Sequence, residues 1–183
     1  MSTPLSTVPP APQLNIVSSV DVAAILRDST TVGHIGVMDN SPASKNKGTA
    51  DLQTVCCQGQ VLNWLVYSRD ASKRPDGTWP ASARIANILF LNEDGTVRNE
   101  KVFRELKVYG GPDAMRSQWT PVYYYWAGIL RPDIEPGVYR YRLIIQCDTD
   151  VVGQPKAYQF DGPSLEVVLP TNPIITRMVR PGG

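Results

Sequence analysis

The stretch Tyr139-Arg140-Tyr141-Arg142-Leu143-Ile144-Ile145-Gln146-Cys147 decides how this chain is read. Tyr139, Tyr141, Leu143, Ile145 and Cys147 alternate with Arg140, Arg142, Ile144 and Gln146. Successive side chains of a strand point to opposite faces. The run is therefore a strand with one apolar face and one wet face that carries arginines. Leu165, Val167 and Leu169 repeat the alternation near the end of the chain.

Reading outward, Pro132 and Pro136-Gly137 bound a turn before this strand. Residues 122–130, VYYYWAGIL, are strongly β-favouring. Val61 to Tyr67 is apolar on both faces, as a central strand of a two-layer fold requires. Ile85 to Leu91 predicts another strand. Asp94-Gly95 then predicts a hairpin, with the returning strand running through Val102 to Tyr109. Leu14 to Val17 is an early strand. Ser19 or Asp21 can cap the helix that follows, where Val22, Ile25 and Leu26 share one face. Residues 39–48 and the Pro-containing segment 69–80 read as loops.

The pattern predicts seven to nine strands with short turns. The fold class is all-β, an antiparallel two-layer β-sandwich with one short helix near the N-terminus. Residues 13–170 form a single domain on this reading. Residues 1–12, which hold four prolines, are expected to be a flexible tail, and residues 171–183 a second one.

Composition narrows the function classes. Hydrophobic residues make up 42% of the 183, enough to bury a core. Eighteen basic and seventeen acidic residues leave a formal charge of +1, which gives no electrostatic case for nucleic acid. Near-neutrality also weakens repulsion between copies, so a homo-oligomer is expected. No run approaches the ~20 apolar residues of a membrane span. The first residues lack the basic start and apolar run of a signal peptide. Cys56, Cys57 and Cys147 are an odd set with two neighbours, a poor disulfide framework. Reduced thiols and a cytoplasmic location are the expectation.

No catalytic constellation emerges. His34 is the only histidine, and it lies in an apparent strand, Val32 to Met38, without a G-x-S-x-G motif. One histidine and an unspaced cysteine pair do not supply a zinc site. Asp133, Glu135, Asp148 and Asp150 lie in turns and are expected to be solvated rather than to hold calcium. No phosphate loop is present. No metal, cofactor or enzymatic activity is expected. Tyr124 and Trp126 would share one strand face, Tyr123 and Tyr125 the other. One pair is expected in the core and the other at an interface. As an alternative to self-association, a carbohydrate-binding module would use Trp79, Trp119, Tyr124 and Trp126, because aromatic rings stack on sugars. Arg177 and Arg180 could reach an acidic partner, but a solvated tail is expected.

The order of segments carries a family resemblance. A strand enters an Asp-initiated helix at Asn15 to Arg27. Gly48-Thr49-Ala50-Asp51-Leu52 and Gly59-Gln60-Val61-Leu62-Asn63-Trp64 follow. A late strand, Gly137 to Tyr141, precedes Tyr158 to Gly162. Together these resemble the bacterial inclusion-body protein family, the PixA- and AidA-like proteins, over about residues 13–170. The resemblance implies a β-sandwich without known enzymatic activity. It also implies cytoplasmic inclusion bodies or cell-density-regulated expression (quorum sensing). It supplies no catalytic residues.

Overall fold

A computed structural model describes residues 13–70, 75–77, 81–111, 124–149 and 154–170. Both predicted tails, with Arg177 and Arg180, lie outside these residues, as do Trp79, Trp119, Tyr123 and Asp150.

The elements are β1 (Leu14–Val20), α1 (Val22–Asp28), β2 (Ile35–Asp39), β3 (Gln53–Cys57), β4 (Val61–Ser68), β5 (Ala83–Phe90), β6 (Phe103–Tyr109), β7 (Tyr125–Leu130), β8 (Gly137–Cys147) and β9 (Lys156–Val168). They form two sheets. The five-stranded sheet runs β2-β1-β4-β7-β6, and the four-stranded sheet runs β3-β9-β8-β5. The architecture is the expected all-β sandwich, and β4 is central as its two apolar faces require.

Two details correct the reading from sequence. The sheets are mixed rather than purely antiparallel, because β1 pairs with β4, and β3 with β9, in parallel. Parallel neighbours need long crossovers. The chain provides one by passing through α1, β2 and β3 between β1 and β4. Asp94-Gly95 does form a tight turn, in which Asn92 N–H donates to Thr96 O at 2.8 Å. Yet it does not join β5 to β6 as a hairpin. β5 belongs to the four-stranded sheet and β6 to the five-stranded one. The turn closes a local loop between Leu91 and Val97, and the chain then changes layers.

Asp21 caps α1, its carboxylate accepting the Ala24 N–H at 3.0 Å. Ser29 ends the helix in the left-handed conformation. Val22 and Ile25 are buried, and Leu26 packs against the core. His34 is not in a strand. Its N–H donates to Thr31 O in the turn before β2, and its carbonyl accepts from Asp21 N–H.

The core lies between the inner faces of the sheets. Leu62 and Trp64 of β4 meet Tyr141, Leu143 and Ile145 of β8, all fully or almost fully buried. Trp64 packs edge-on to Phe103 at 5.5 Å and to Tyr141 at 6.0 Å between ring centres. Phe90 lies against both partners. On β8, Tyr139, Tyr141, Leu143, Ile145 and Cys147 are all buried, as the alternation predicts.

Candidate functional site

The two outer faces differ in chemistry. That of the four-stranded sheet is held by charge. Arg142 grips Asp161 with two hydrogen bonds of 2.6 and 2.7 Å. The pair raises the arginine pKa and lowers that of the carboxylate. Arg84 donates to Gln146 at 3.1 Å, and Lys45 reaches Glu166 at 3.1 Å. These exposed pairs contribute at most about 1 kcal/mol each.

The outer face of the five-stranded sheet is concave and mixes exposed apolar side chains with amide and phenol groups. Val17 lies between Met38 and Leu65 in the strand register, and Val61 lies opposite Ile129. Tyr67 is 56% exposed, Met38 47% and Ile129 41%. Other large exposed side chains, such as Val32 and Leu169, lie apart from this face. Tyr109 and Tyr125 are directly opposite across β6 and β7, with rings stacked at 5.5 Å and 20°. The concavity measures about 650 Å³. That is within the usual range of ligand sites, about 300–1,000 Å³.

A polar seam crosses its floor. Asn63 donates to Asn15 at 2.8 Å, Asn15 N–H donates to Asn40 Oδ1 at 2.9 Å, and Asn40 donates to Gln13 O at 3.1 Å. Glu105 and Lys107 pair on the β6 rim, which raises the lysine pKa. Lys107 also lies 5.2 Å above the Tyr109 ring. This face can take an uncharged partner with apolar and amide-matching surface.

The aromatic candidates named from sequence are not in this groove. Trp126 turns between the sheets and donates to Ile85 O at 2.9 Å. Tyr124 lies under the Arg84 guanidinium, 5.4 Å away, and covers Gly111. Trp79 and Trp119 are outside the described residues. The groove instead uses Tyr125, the neighbour of opposite parity. Alternation alone could have found it, since Tyr125, Ala127 and Ile129 share a face. Tyr109, Asn15 and Asn63 gave no comparable signal.

The other candidates are engaged elsewhere. His34 Nε2 lies 2.9 Å from Asp28, whose carboxylate Arg27 also holds at 2.8 Å. Asp133 is bound by Arg131 at 2.6 Å, which lowers its pKa. Glu135 offers its backbone carbonyl to Tyr139 OH at 2.7 Å. Asp148 accepts from Ser82 Oγ. Among the described residues no group of three His, Cys, Asp or Glu side chains could hold a metal ion. No helix among them is long and apolar enough to cross a membrane.

The three thiols are free. Burial pushes Cys56 up to about 12 and Cys147 up to about 11. Only thiolates attack disulfide reagents. With Ellman's reagent at pH 8, the half-buried Cys57 is expected to react first. Cys56 and Cys147 should follow only on unfolding, and equal rates for all three would contradict this burial pattern.

A family described as a domain of unknown function (DUF8788) matches residues 12–76, the segment from β1 through β4. The chain is also similar to a solved inclusion body protein, PixA, from Burkholderia cenocepacia J2315. The two share 11% identity with a TM-score of 0.57, over 92% of this chain and 100% of that one. A likeness at that identity shows a shared fold. No curated relative matches the sequence.

Proposed function

We propose that this chain, built on the sandwich it shares with a PixA inclusion body protein, is a non-enzymatic protein that works by packing against copies of itself. The carrying observation is the set of exposed apolar side chains, Met38, Tyr67 and Ile129, on the outer face of the five-stranded sheet, opposite a face covered by ion pairs. Contiguous exposed apolar surface on a soluble protein marks an interaction site. A net charge of +1 adds little repulsion between copies. Glu105 and Lys107 put both signs on one rim, so a two-fold mate can pair each with its opposite. Membership of the PixA- and AidA-like family and a reducing, cytoplasmic setting belong to the same proposal. Three free cysteines support the setting.

Light scattering over a wide concentration range tests this reading. The mass is expected to rise with concentration. Ile129→Lys places an unpaired charge on the face and should weaken association by at least about tenfold, equivalent to about 1.4 kcal/mol. Its melting temperature should stay near that of the parent, because Ile129 is partly exposed. A parent protein that remains monomeric at its solubility limit overturns the proposal.

The tyrosine stack beside the Asn15–Asn63 amides favours a second reading, a neutral saccharide bound in the same groove. Phenol rings offer apolar surface to sugars, and amides match their hydroxyls. Binding on an oligosaccharide array that Tyr125→Ala abolishes would select this reading. Silence across the array, with and without calcium, would remove it.

A further inference from the structure

The last strand of a sheet presents a row of backbone N–H and C=O groups that something else must meet. Three of the four sheet ends in this sandwich meet them within the chain. At β2, Val37 N–H donates to Thr49 O at 3.0 Å, and Val37 O accepts Gly48 N–H at 2.7 Å. At β3, Gln53 and Lys45 exchange both backbone bonds, at 3.0 and 3.1 Å. Val55 N–H donates to Ser44 Oγ at 3.0 Å, and Val55 O accepts from Ser41 Oγ at 2.9 Å. At β5, Ala83 N–H donates to Ser68 Oγ at 3.2 Å, and Ile85 O accepts from Trp126 Nε1 at 2.9 Å. Phe90 O accepts from Arg98 N–H at 2.8 Å.

The fourth end, β6, is different. Among the described residues, β7 is its one strand neighbour, and no group meets the outward backbone of Phe103 to Tyr109. Beyond the irregularity between Phe103 and Glu105, the strand keeps a regular register to Tyr109. Glu105, Lys107 and Tyr109 therefore share its outer face.

The charges on this edge select what can add to it. Charged side chains on an edge usually keep other strands away. Here the sign alternates, and that suits an antiparallel copy. A two-fold axis perpendicular to the sheet sets two β6 strands antiparallel, outer face beside outer face. An axis at Glu105 would set that residue against itself, and an axis at Lys107 would do the same to the lysine. An axis at Leu106 sets Glu105 opposite the partner's Lys107, and Lys107 opposite the partner's Glu105. Opposite charges directly across a strand pair stabilise it, and like charges destabilise it. Both side chains are about half exposed, at 55% and 51%, so both can reach across. Glu105 and Lys107 already pair within one chain, so the axis would gather four alternating charges into one network.

We propose that two copies join through β6, antiparallel about Leu106, so that their five-stranded sheets become one continuous sheet. The proposal rests on the self-association put forward above and names the edge that carries it. Backbone hydrogen bonds supply the affinity of such strand addition, and the side chains set its register. The two outer grooves then open side by side on the same surface.

Charge exchange tests the register, with solution mass read by sedimentation. Glu105→Lys and Lys107→Glu each place like charges across the axis, and each should weaken association at least about tenfold. An equimolar mixture of the two variants should recover the parent's association, because every charge again meets its opposite. A chain carrying both substitutions should also associate as the parent does. Recovery on mixing shows that both single variants are folded. Single variants that keep the parent's mass, or a mixture that stays dissociated, overturn the proposal. If Ile129→Lys lowers the mass while the charge variants do not, copies pack through the face and the edge pairing falls. If the charge variants behave as expected while Ile129→Lys changes nothing, the edge stands and the face falls. A parent that is monomeric throughout removes both.

Discussion

Replacing Trp64 by alanine is expected to lower the unfolding free energy by about 3–5 kcal/mol, read by urea denaturation. Trp64 is fully buried at the centre of the five-stranded sheet. Its ring touches Phe103 from β6 and Tyr141 from β8, so it joins both layers. Alanine removes two edge-to-face contacts, each contributing about 0.5–1.5 kcal/mol beyond the buried area. The neighbours are strand residues held in register by their own hydrogen bonds, so they cannot collapse fully into the space. A small domain is stable by about 5–15 kcal/mol, and this loss would bring it close to unfolding at 25 °C. Trp64→Phe keeps most of the apolar surface and should lose markedly less. A destabilisation below about 1 kcal/mol for the alanine variant would mean that the two sheets do not pack through this residue.

Gly128→Val is expected to release the edge strand β6. A Cβ at Gly128 would stand 2.4 Å from the backbone carbonyl of Glu105, 2.9 Å from the Phe103 ring and 3.0 Å from Leu106. The nearest atom is main chain, so no side-chain rotation relieves the clash. Gly128 faces Leu106 in the β6–β7 register, just beyond the irregularity between Phe103 and Glu105. Overpacking of this kind costs about 1–3 kcal/mol. Because β6 is at the end of the sheet, the response should be local. Hydrogen exchange should quicken at β6 amides while β1 and β4 stay protected. Uniform loss of protection would show instead that β6 is integral to global stability.

Much of this architecture was legible in the sequence. The alternation in Tyr139 to Cys147 marked a strand with one dry face, and β8 buries each of those five residues. Ser19 and Asp21 both stood as possible helix caps, and Asp21 takes the role because its short carboxylate, directly before Val22, holds the free N–H of Ala24. The hairpin around Asp94-Gly95 misled for a physical reason. A turn signal reports the local bend, and it is silent about which sheet receives the next strand. Parallel pairing was hidden for the same reason, since Ile16 and Trp64 become neighbours only through tertiary packing. The groove was half legible. Parity places Tyr125 with Ala127 and Ile129, but only the strand order brings Tyr109 and Asn15 to the same face. Trp126 drew attention as an aromatic, yet its indole N–H finds a carbonyl on β5 and its ring stays inside.

The parallel pairing of β3 with β9 has a consequence for how the chain reaches its native state. Gln53 to Cys57 find their partners in Ser164 to Val168, more than a hundred residues later. The loop-closure entropy of that contact must be met before the contact itself stabilises anything. Topologies dominated by such distant pairings fold in milliseconds to seconds rather than microseconds. On a ribosome, β3 would wait with an unpaired edge until nearly the whole chain had been made. At ~5–20 residues per second that wait lasts on the order of 5–20 seconds. Concentrated nascent chains would then present matching open edges to one another, so the same strand order that completes the monomer also offers a route to exchange between copies.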